Sequence, residues 1–399
     1  MKICQVSPYD FALDGGVNKH ITYLASGLRS LGDEVEVIAP YSGGDHTISN
    51  FRGFGGVVSI QSNGSDNRLS LFTNPFAVWS YIRKGGFDVV HVHEPLTPAL
   101  TYWALWAAGD AARVATFHCY TEPELEGKVR RVCRTLLRPV LGSLDRGIAV
   151  SDAAARFASV SWKEQMSIVP NGVDVQYFSP GPAQNGRDGD RRGPLRALFV
   201  GQWTDARKGL HVLLEAYRGL RARGVQVTLE VVGQGDRRTP APDIEGVTFH
   251  GRVSEAELRR QLRSCDVLVA PSTGQESFGI VLLEAMAVGK PLICSNIDGY
   301  RQVASPEGAI LPPPLDAPAL AVALHQLAQD PARRRAMGHH NRLRALQYDW
   351  NLLAGQLRSE YQEALGARPI RESLPSWSQT TGVDAEPMAE RAVSGGLRR

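Results

Sequence analysis

The sequence predicts an α/β protein made of two doubly wound, Rossmann-like domains, and three observations carry that prediction. Short apolar runs of strand length alternate with amphipathic stretches of helix length along most of the chain. One stretch, Pro180 to Pro194, breaks the alternation with Gly, Pro, Asp and Arg and no apolar periodicity. A chain of 399 residues also exceeds what one hydrophobic core usually organises.

The totals exclude several classes. Composition is that of a soluble globular protein, 43% hydrophobic and 21% charged. Lys and Arg number 44 against 41 Asp and Glu, a net charge of +3, so no nucleic-acid partner is expected. No apolar run approaches the ~18 residues of a membrane span. Met1–Pro8 reads as a first strand, not a signal peptide. The five cysteines (Cys4, Cys119, Cys133, Cys265, Cys294) are scattered, odd in number and without metal-ligand spacing. Reduced thiols in a cytoplasmic protein are expected, without catalytic cysteine chemistry.

Lys2–Ser7 is an apolar strand, and Gly15 and Gly16 follow in the next loop. A helix begins at Val17, with Val17, Ile21, Leu24, Ala25, Leu28 and Leu31 on one face. Glu34–Ala39 completes a βαβ unit. Paired glycines either turn the loop or let backbone approach a ligand. The loop is not G-x-G-x-x-G, which argues against a dinucleotide.

Residues 41–75 are polar and glycine-rich, an irregular excursion containing Asn63 and Arg68. Asp88–Pro95 is a strand entering a loop. His91 and His93 share one face of it; as a lone pair they make no metal site and are read as structural or loop-anchoring, with site contact open for His93 or Glu94. The strand Arg113–His118 ends in a histidine where doubly wound sheets bind ligands. Lys128, Arg131, Arg134 and Arg138 recur every three or four residues among apolar positions, an amphipathic basic helix. Its face is either simply solvated or a surface for anionic lipid headgroups.

Arg146–Ser151 and Ser167–Asp174 close the first domain. In the second half, strand Leu195–Gly201 is followed by Gln202, Arg207, Lys208 and a helix carrying Leu210, Leu213, Leu214, Tyr217 and Leu220 on one face. Thr228–Val232, Val247–His250, Asp266–Ala270 and Leu292–Ser295 are further strands. Asp316–Gln329 and Pro331–Leu346 read as helices, and a last helix runs from Trp350 to about Gly366. The expected division is 1–178, a linker 179–194, 195–346, a terminal helix 347–366, and a disordered tail 367–399 without periodicity.

The chain is organised around residues 271–290. Strand Asp266–Ala270 runs into a polar loop and then a helix, with Ser277 placed to cap it and the amides near Gly279 without intrahelical partners. Such a helix start binds phosphates. Were the segment helical throughout, Glu276 and Glu284 would stand roughly 12 Å apart, the span of a nucleotide sugar. Each carboxylate accepts hydroxyl hydrogen bonds, so the pair would hold the two sugars and the amides the diphosphate. Alternatively these are two surface glutamates on a buried helix.

The run Glu276-Ser-Phe-Gly279 with Glu284 resembles the E-x7-E motif of retaining glycosyltransferases of family 4, which have the GT-B fold. The resemblance spans residues 1 to about 366. It implies two Rossmann-like domains facing across a cleft, with the terminal helix crossing back to the first. It further implies an acceptor-binding first domain and a nucleotide-sugar-binding second domain. Gly15 and Gly16 match the loop beside the donor diphosphate, and His118 matches a histidine near the reacting sugar. Ile168–Asp174 resembles the segment before the interdomain linker.

Against the family pattern Gly-Arg-x(4 or 5)-Lys-Gly, this sequence has Gly201-Gln202, with Gln202 in place of the arginine, which shifts leaving-group stabilisation to Lys208 with Arg207. The resemblance therefore assigns His118, Lys208 and Glu276 to catalysis. It assigns Gly15, Gly16, Gln202, Arg207, Lys208, Glu276, Ser277, Phe278, Gly279, Ile280 and Glu284 to the donor. No metal and no tightly bound cofactor are expected, the nucleotide sugar being a substrate. Reaction with retention is expected, by front-face attack assisted by the leaving phosphate.

Within the family, Pro8-Tyr9, Asp14–Val17, Asn63–Arg68, His91–Pro95, Thr116–His118, Leu137–Pro139, Ile148–Asp152 and Gly274–Val281 are most similar to phosphatidylinositol mannosyltransferases. That subgroup implies GDP-mannose as donor and a phosphoinositol lipid as acceptor, with Tyr9, Asp14, Asn63 and Arg68 on the acceptor side. It implies a cytoplasmic location, peripheral at the membrane's cytoplasmic face. A UDP-hexose donor stays open, as do another lipid, a polyprenyl-linked sugar or a soluble sugar phosphate as acceptor. Rival classes are a nucleotide-dependent oxidoreductase, which lacks its fingerprint, and a non-catalytic binding protein on the same scaffold.

Overall fold

The computed structural model describes residues 1–367 except 14, 44–48, 63–64, 71, 98, 121–138, 163, 182–192 and 236–240. Asp14, Asn63, the segment 128–138 expected to be a basic helix, most of the linker and the tail from residue 368 lie outside the described residues.

Two parallel sheets define the fold. In the first half, β1 (Lys2–Val6), β2 (Glu34–Ala39), β3 (Phe51–Gly53), β6 (Val89–His93), β7 (Ala112–Phe117), β8 (Arg146–Ala149) and β9 (Ser167–Ile168) form a seven-stranded sheet in the order β3-β2-β1-β6-β7-β8-β9. Helices α1 (Gly16–Ser30), α2 (Pro75–Gly85), α3 (Leu100–Ala107) and α4 (Asp152–Ser159) connect them. Strands β4 (Val58–Ser62) and β5 (Ser65–Leu69) pair as an antiparallel hairpin. The excursion at 41–75 is thus more ordered than its composition predicts: β3 and the hairpin are too short and polar to show periodicity.

In the second half, β10 (Leu195–Val200), β11 (Val227–Val232), β12 (Val247–Gly251), β13 (Val267–Ala270), β14 (Leu292–Cys294) and β15 (Ala309–Ile310) lie in the order β12-β11-β10-β13-β14-β15. Helices α5 (Leu210–Ala222), α6 (Glu255–Ser264), α7 (Ile280–Ala287), α8 (Asp298–Arg301), α9 (Ala317–Gln329) and α10 (Pro331–Ala345) accompany them. In both sheets the strand order reverses beside the first strand, between β1 and β6 and between β10 and β13. Doubly wound sheets bind ligands at such reversals, outside the carboxyl ends of the strands.

The last helix, α11 (Trp350–Gly366), returns to the first sheet. Its Trp350, Leu353, Ala354, Leu357 and Tyr361 share a core with Ile21, Leu24 and Leu28 of α1 and Val35, Val89 and Val114 of the sheet. Gly27 permits the close crossing, because a Cβ there would meet Ala354 Cβ at 2.6 Å. Arg146 pairs with Glu360 at 2.5 Å and Arg358 with Asp33 at 2.8 Å, fixing the helix at its rim. The chain therefore crosses between sheets twice. The two crossings run side by side, Val173 N–H donating to Tyr348 O at 2.9 Å. Further contacts join the halves: Tyr23 Oη to Glu255 at 3.0 Å, Arg156 to Asp298 at 2.6 Å and Gln302 to Asp152 at 2.7 Å.

Candidate functional site

A cleft of about 490 Å³ opens between the carboxyl ends of the two sheets. The first half contributes Tyr9, Gly16, Glu94, His118 and Asn171 to its wall, and the second contributes Arg207, Lys208, Gln275–Val281 and Tyr300.

His118 directly follows β7 and is 6% exposed. Two neighbours on one motif hold it. The Glu94 carboxylate accepts from the backbone N–H groups of His118 and Cys119, the latter at 2.6 Å. Glu94 is 3% exposed and takes a left-handed φ of 51°, costly for a non-glycine residue and common where a site imposes it. His93 Nδ1 lies 3.0 Å from His118 Nε2. Burial is the main cause pulling both imidazoles well below the usual histidine range, so both are neutral. His91 instead bonds Tyr361 Oη and Thr116 Oγ1, each at 2.7 Å, tying β6 to α11.

On the opposite wall the sequence expectation needs correcting. The segment from Glu276 is not helical throughout. Gly274 (φ 149°), Gln275 (φ 56°) and Gly279 (φ 94°) turn the loop, and Gly279, not Ser277, stands at the N-cap of α7. A Cβ at Gly279 would meet the Tyr300 ring at 2.7 Å, so tertiary packing sets this start. Glu276 therefore sits in the loop and Glu284 on the helix, and the 12 Å helical spacing does not apply. The amides of Gly279, Ile280 and Val281 still open the helix at the cleft wall.

Lys208 ends a 3-10 turn (Ala206–Lys208) after β10 and places Nζ 2.6 Å from Glu276 Oε1. Gly209 (φ 72°) passes within contact of Pro271, a Cβ there falling 1.9 Å from the Pro271 carbonyl oxygen. Arg207 is engaged by Asp205, Nη2 to Oδ2 at 2.6 Å.

Not every anticipated residue reaches the cleft. Gln202 is exposed and absent from its lining; its carbonyl oxygen accepts from Asp205 N–H at 3.1 Å. Gly15 is exposed, and Gly16 alone of the pair lines the cleft, packed against Ile280. Glu284 lines a smaller cavity behind Ile280 with Lys19, Tyr23 and Trp350. Lys19 Nζ bonds its Oε1 at 3.2 Å and Glu255 at 3.4 Å. Burial raises the Glu284 carboxyl despite Lys19; the Lys19 ammonium is also raised, its carboxylate partners outweighing burial. Arg68 is exposed beside Asp10 at 3.5 Å, whereas Tyr9 is in the wall. Lys19, Asn171 and Tyr300 escape sequence reasoning; a lysine in the first turn after paired glycines is the signal that could have found the first.

The paired sheets, the facing cleft and the crossing helix define the GT-B class of glycosyltransferase. Among known proteins, the family models described as "Glycosyltransferase Family 4" and "Glycosyl transferases group 1" match residues 14–177 and 194–330. The phosphatidyl-myo-inositol mannosyltransferase of Mycolicibacterium smegmatis is 38% identical over 377 residues, 92% of this chain and 95% of that protein. Its counterpart in Mycobacterium tuberculosis is 35% identical over 381 residues, 92% and 98%. A sucrose-phosphate synthase from Thermosynechococcus elongatus has a similar fold (TM-score 0.71, 22% identity, 92% of this chain, 100% of that one). So has Anabaena HepE solved with UDP-glucose (TM-score 0.70, 18% identity, 91% and 99%). The chain belongs to glycosyltransferase family 4 and is a glycosyltransferase.

Proposed function

We propose that the protein transfers mannose from GDP-mannose to a hydroxyl of a phosphoinositol lipid, with retention of configuration. The observation that carries the reading is the meeting of His118 from one half with Lys208, Glu276 and the start of α7 from the other, around one sugar-nucleotide-sized cleft. The names of the relatives, phosphatidyl-myo-inositol mannosyltransferases, supply the donor sugar and the acceptor class.

In this reading the donor diphosphate lies against the amides that open α7, where the helix dipole favours negative charge. It takes Lys208 from Glu276, and Glu276 is released to accept hydroxyls of the hexose. Glu284 accepts from the ribose, and Gly16 lets the backbone of the first half close over the diphosphate. His118 contacts the hexose. The C1–phosphate bond breaks, the acceptor oxygen bonds C1 on the same face, and the acceptor proton passes to the leaving phosphate. Electrostatic stabilisation of that phosphate is the main catalytic contribution, and no metal or resident cofactor takes part. Because Gln202 faces solvent and Arg207 is engaged by Asp205, Lys208 carries this role.

The acceptor approaches past Tyr9 in the cleft wall; Asp14, Asn63 and Arg68 are the acceptor contacts that the family resemblance adds. Among the described residues no helix is long and apolar enough to cross a membrane, and a peripheral position at the cytoplasmic membrane face suits a lipid acceptor. The basic segment Lys128–Arg138 would supply anionic-lipid contact. Incubation with radiolabelled GDP-mannose or UDP-glucose and vesicles with or without phosphatidylinositol tests the whole reading. Lipid-extractable label is expected only with GDP-mannose and phosphatidylinositol together; label from UDP-glucose, or in lipid-free samples, would overturn the donor or the acceptor.

A further inference from the structure

Three histidines from three elements meet behind the cleft wall: His20 on α1, His93 at the end of β6 and His118 after β7. One ring nitrogen of each lies within 4.8 Å of one on both others. Two carboxamides engage the outward nitrogens. Asn171 Oδ1 stands 2.8 Å from His20 Nδ1, and Gln5 Oε1 stands 3.3 Å from His93 Nε2. A carboxamide oxygen only accepts, so each of those nitrogens carries its hydrogen. Bare lone pairs are thereby left on His20 Nε2 and His93 Nδ1. The second of these meets His118 Nε2 at 3.0 Å. The first is buried and has no hydrogen-bond partner among the described residues, on a side chain only 1% exposed. An unmet buried polar atom costs about 1–3 kcal/mol, so its retention calls for a partner.

Metal-binding imidazoles show this arrangement, the remote N–H donated to an oxygen that fixes the tautomer while the other nitrogen faces the ion. Burial is the first cause keeping all three rings in the neutral, ligating form, His20 lowered to about 4 and His93 and His118 well below the usual range. In a tetrahedral site with metal–nitrogen bonds of about 2.0–2.1 Å, ligand nitrogens stand roughly 3.3 Å apart. The His93–His118 pair is within a few tenths of that already, and His20, within 4.8 Å of both, completes the set by closing on them. An all-imidazole donor set suits zinc, copper, nickel or cobalt and not magnesium or calcium. His118 lines the cleft, which supplies both the entry path and the open fourth position.

We propose that His20, His93 and His118 form a binding site for a divalent cation of the Zn²⁺ class, and that filling it withdraws His118 from the sugar cleft and inhibits transfer. On binding, the hydrogen that His118 Nε2 shares with His93 moves to His118 Nδ1. The cation is a ligand of this cluster and takes no part in transfer; the inhibitory consequence rests on the transferase reading above.

The test is a Co²⁺ titration of the full-length protein after chelator treatment, read by visible absorption. One equivalent with the intense bands of tetrahedral Co²⁺, displaced by Zn²⁺, is expected. His93→Phe and His20→Phe should abolish those bands. Gln5→Met, which touches no ligand nitrogen directly and spares the cluster, should weaken uptake about 10-fold or more, as loss of an outer-shell partner does. Uptake equal in all three variants, or only the weak bands of octahedral Co²⁺, would overturn the site. Should the histidine variants fail to fold, anomalous scattering from a Zn²⁺-soaked wild-type crystal decides it: an ion among the three rings supports the site, and one elsewhere refutes it. The two readings fail separately. Tetrahedral Co²⁺ uptake by a protein that transfers no sugar even when metal-free would sink the transferase reading alone, and full transfer with Zn²⁺ bound would sink the inhibition alone.

Discussion

Lys208 Nζ and Glu276 Oε1 lie 2.6 Å apart at the wall of the cleft, so the cation that the proposed function assigns to the diphosphate is paired with a carboxylate. Both side chains are only partly exposed, 30% and 15%, so the pair is worth more than a surface bridge and must be exchanged, not merely joined, when the donor enters. Lys208→Ala should lower kcat at least ~10²-fold, the scale of losing one major electrostatic contact to the leaving group. Lys208→Arg should retain part of it. Steady-state kinetics with saturating donor checks this, and unchanged turnover would remove Lys208 from the scheme.

Glu284 and Lys19 make a second pair, across the two halves at 3.2 Å. Glu284→Gln removes an ionised acceptor while keeping its shape. Nucleotide Kd should rise about 10–100-fold, the 1.5–3 kcal/mol of a hydrogen bond to a charged group. Isothermal titration with the nucleotide alone measures it, and an unaltered Kd would argue against contact with the ribose.

Gly279→Ala forces a side chain into a left-handed position 2.7 Å from the Tyr300 ring. The backbone term alone is about 1–2 kcal/mol, and either the helix start or Tyr300 must shift. Donor affinity should therefore fall more than thermal stability does. Comparing Kd with Tm tests this; a lower Tm with unchanged Kd would detach the helix start from the donor.

Four buried histidines predict an acid limit to stability. His20 is lowered to about 4 and His91 to about 3, with His93 and His118 also lowered, burial being the first cause in each. Unfolded, each titrates near 6.5 and binds protons that the folded rings refuse. Their contribution is fully present above pH 6.5 and is lost as pH falls from there toward the folded values. For His20 alone the loss is on the order of 3 kcal/mol. Denaturant unfolding from pH 7 to pH 4 should show a steep fall that His20→Gln makes shallower; parallel curves would contradict it.

Much of this was legible in the sequence because alternation of apolar runs survives without tertiary information. The strands Lys2–Val6, Val89–His93 and Val267–Ala270 and the helix from Trp350 follow from it directly. The loop before α7 did not. Ser277 has the chemistry of a cap, yet Gln275 and Gly279 take positive φ and the helix begins at Ile280, a choice made by packing against Tyr300. Nor does spacing reveal that His20, His93 and His118 converge, since they are brought together from a helix, a strand and the loop after another strand. Lys19 is hidden likewise, because its partner Glu284 lies 265 residues away. Gln202 shows the reverse: a motif position read as a donor contact is exposed and outside the cleft lining.

The most direct measurement is a crystal structure of the full chain with GDP-mannose or a non-transferable analogue. The diphosphate is predicted at the amides of Gly279–Val281 with Lys208 turned from Glu276 toward it, the hexose between Glu276 and His118 and the ribose toward Glu284. A donor seated away from this cleft, or Lys208 still paired with Glu276 beside a bound diphosphate, would contradict it.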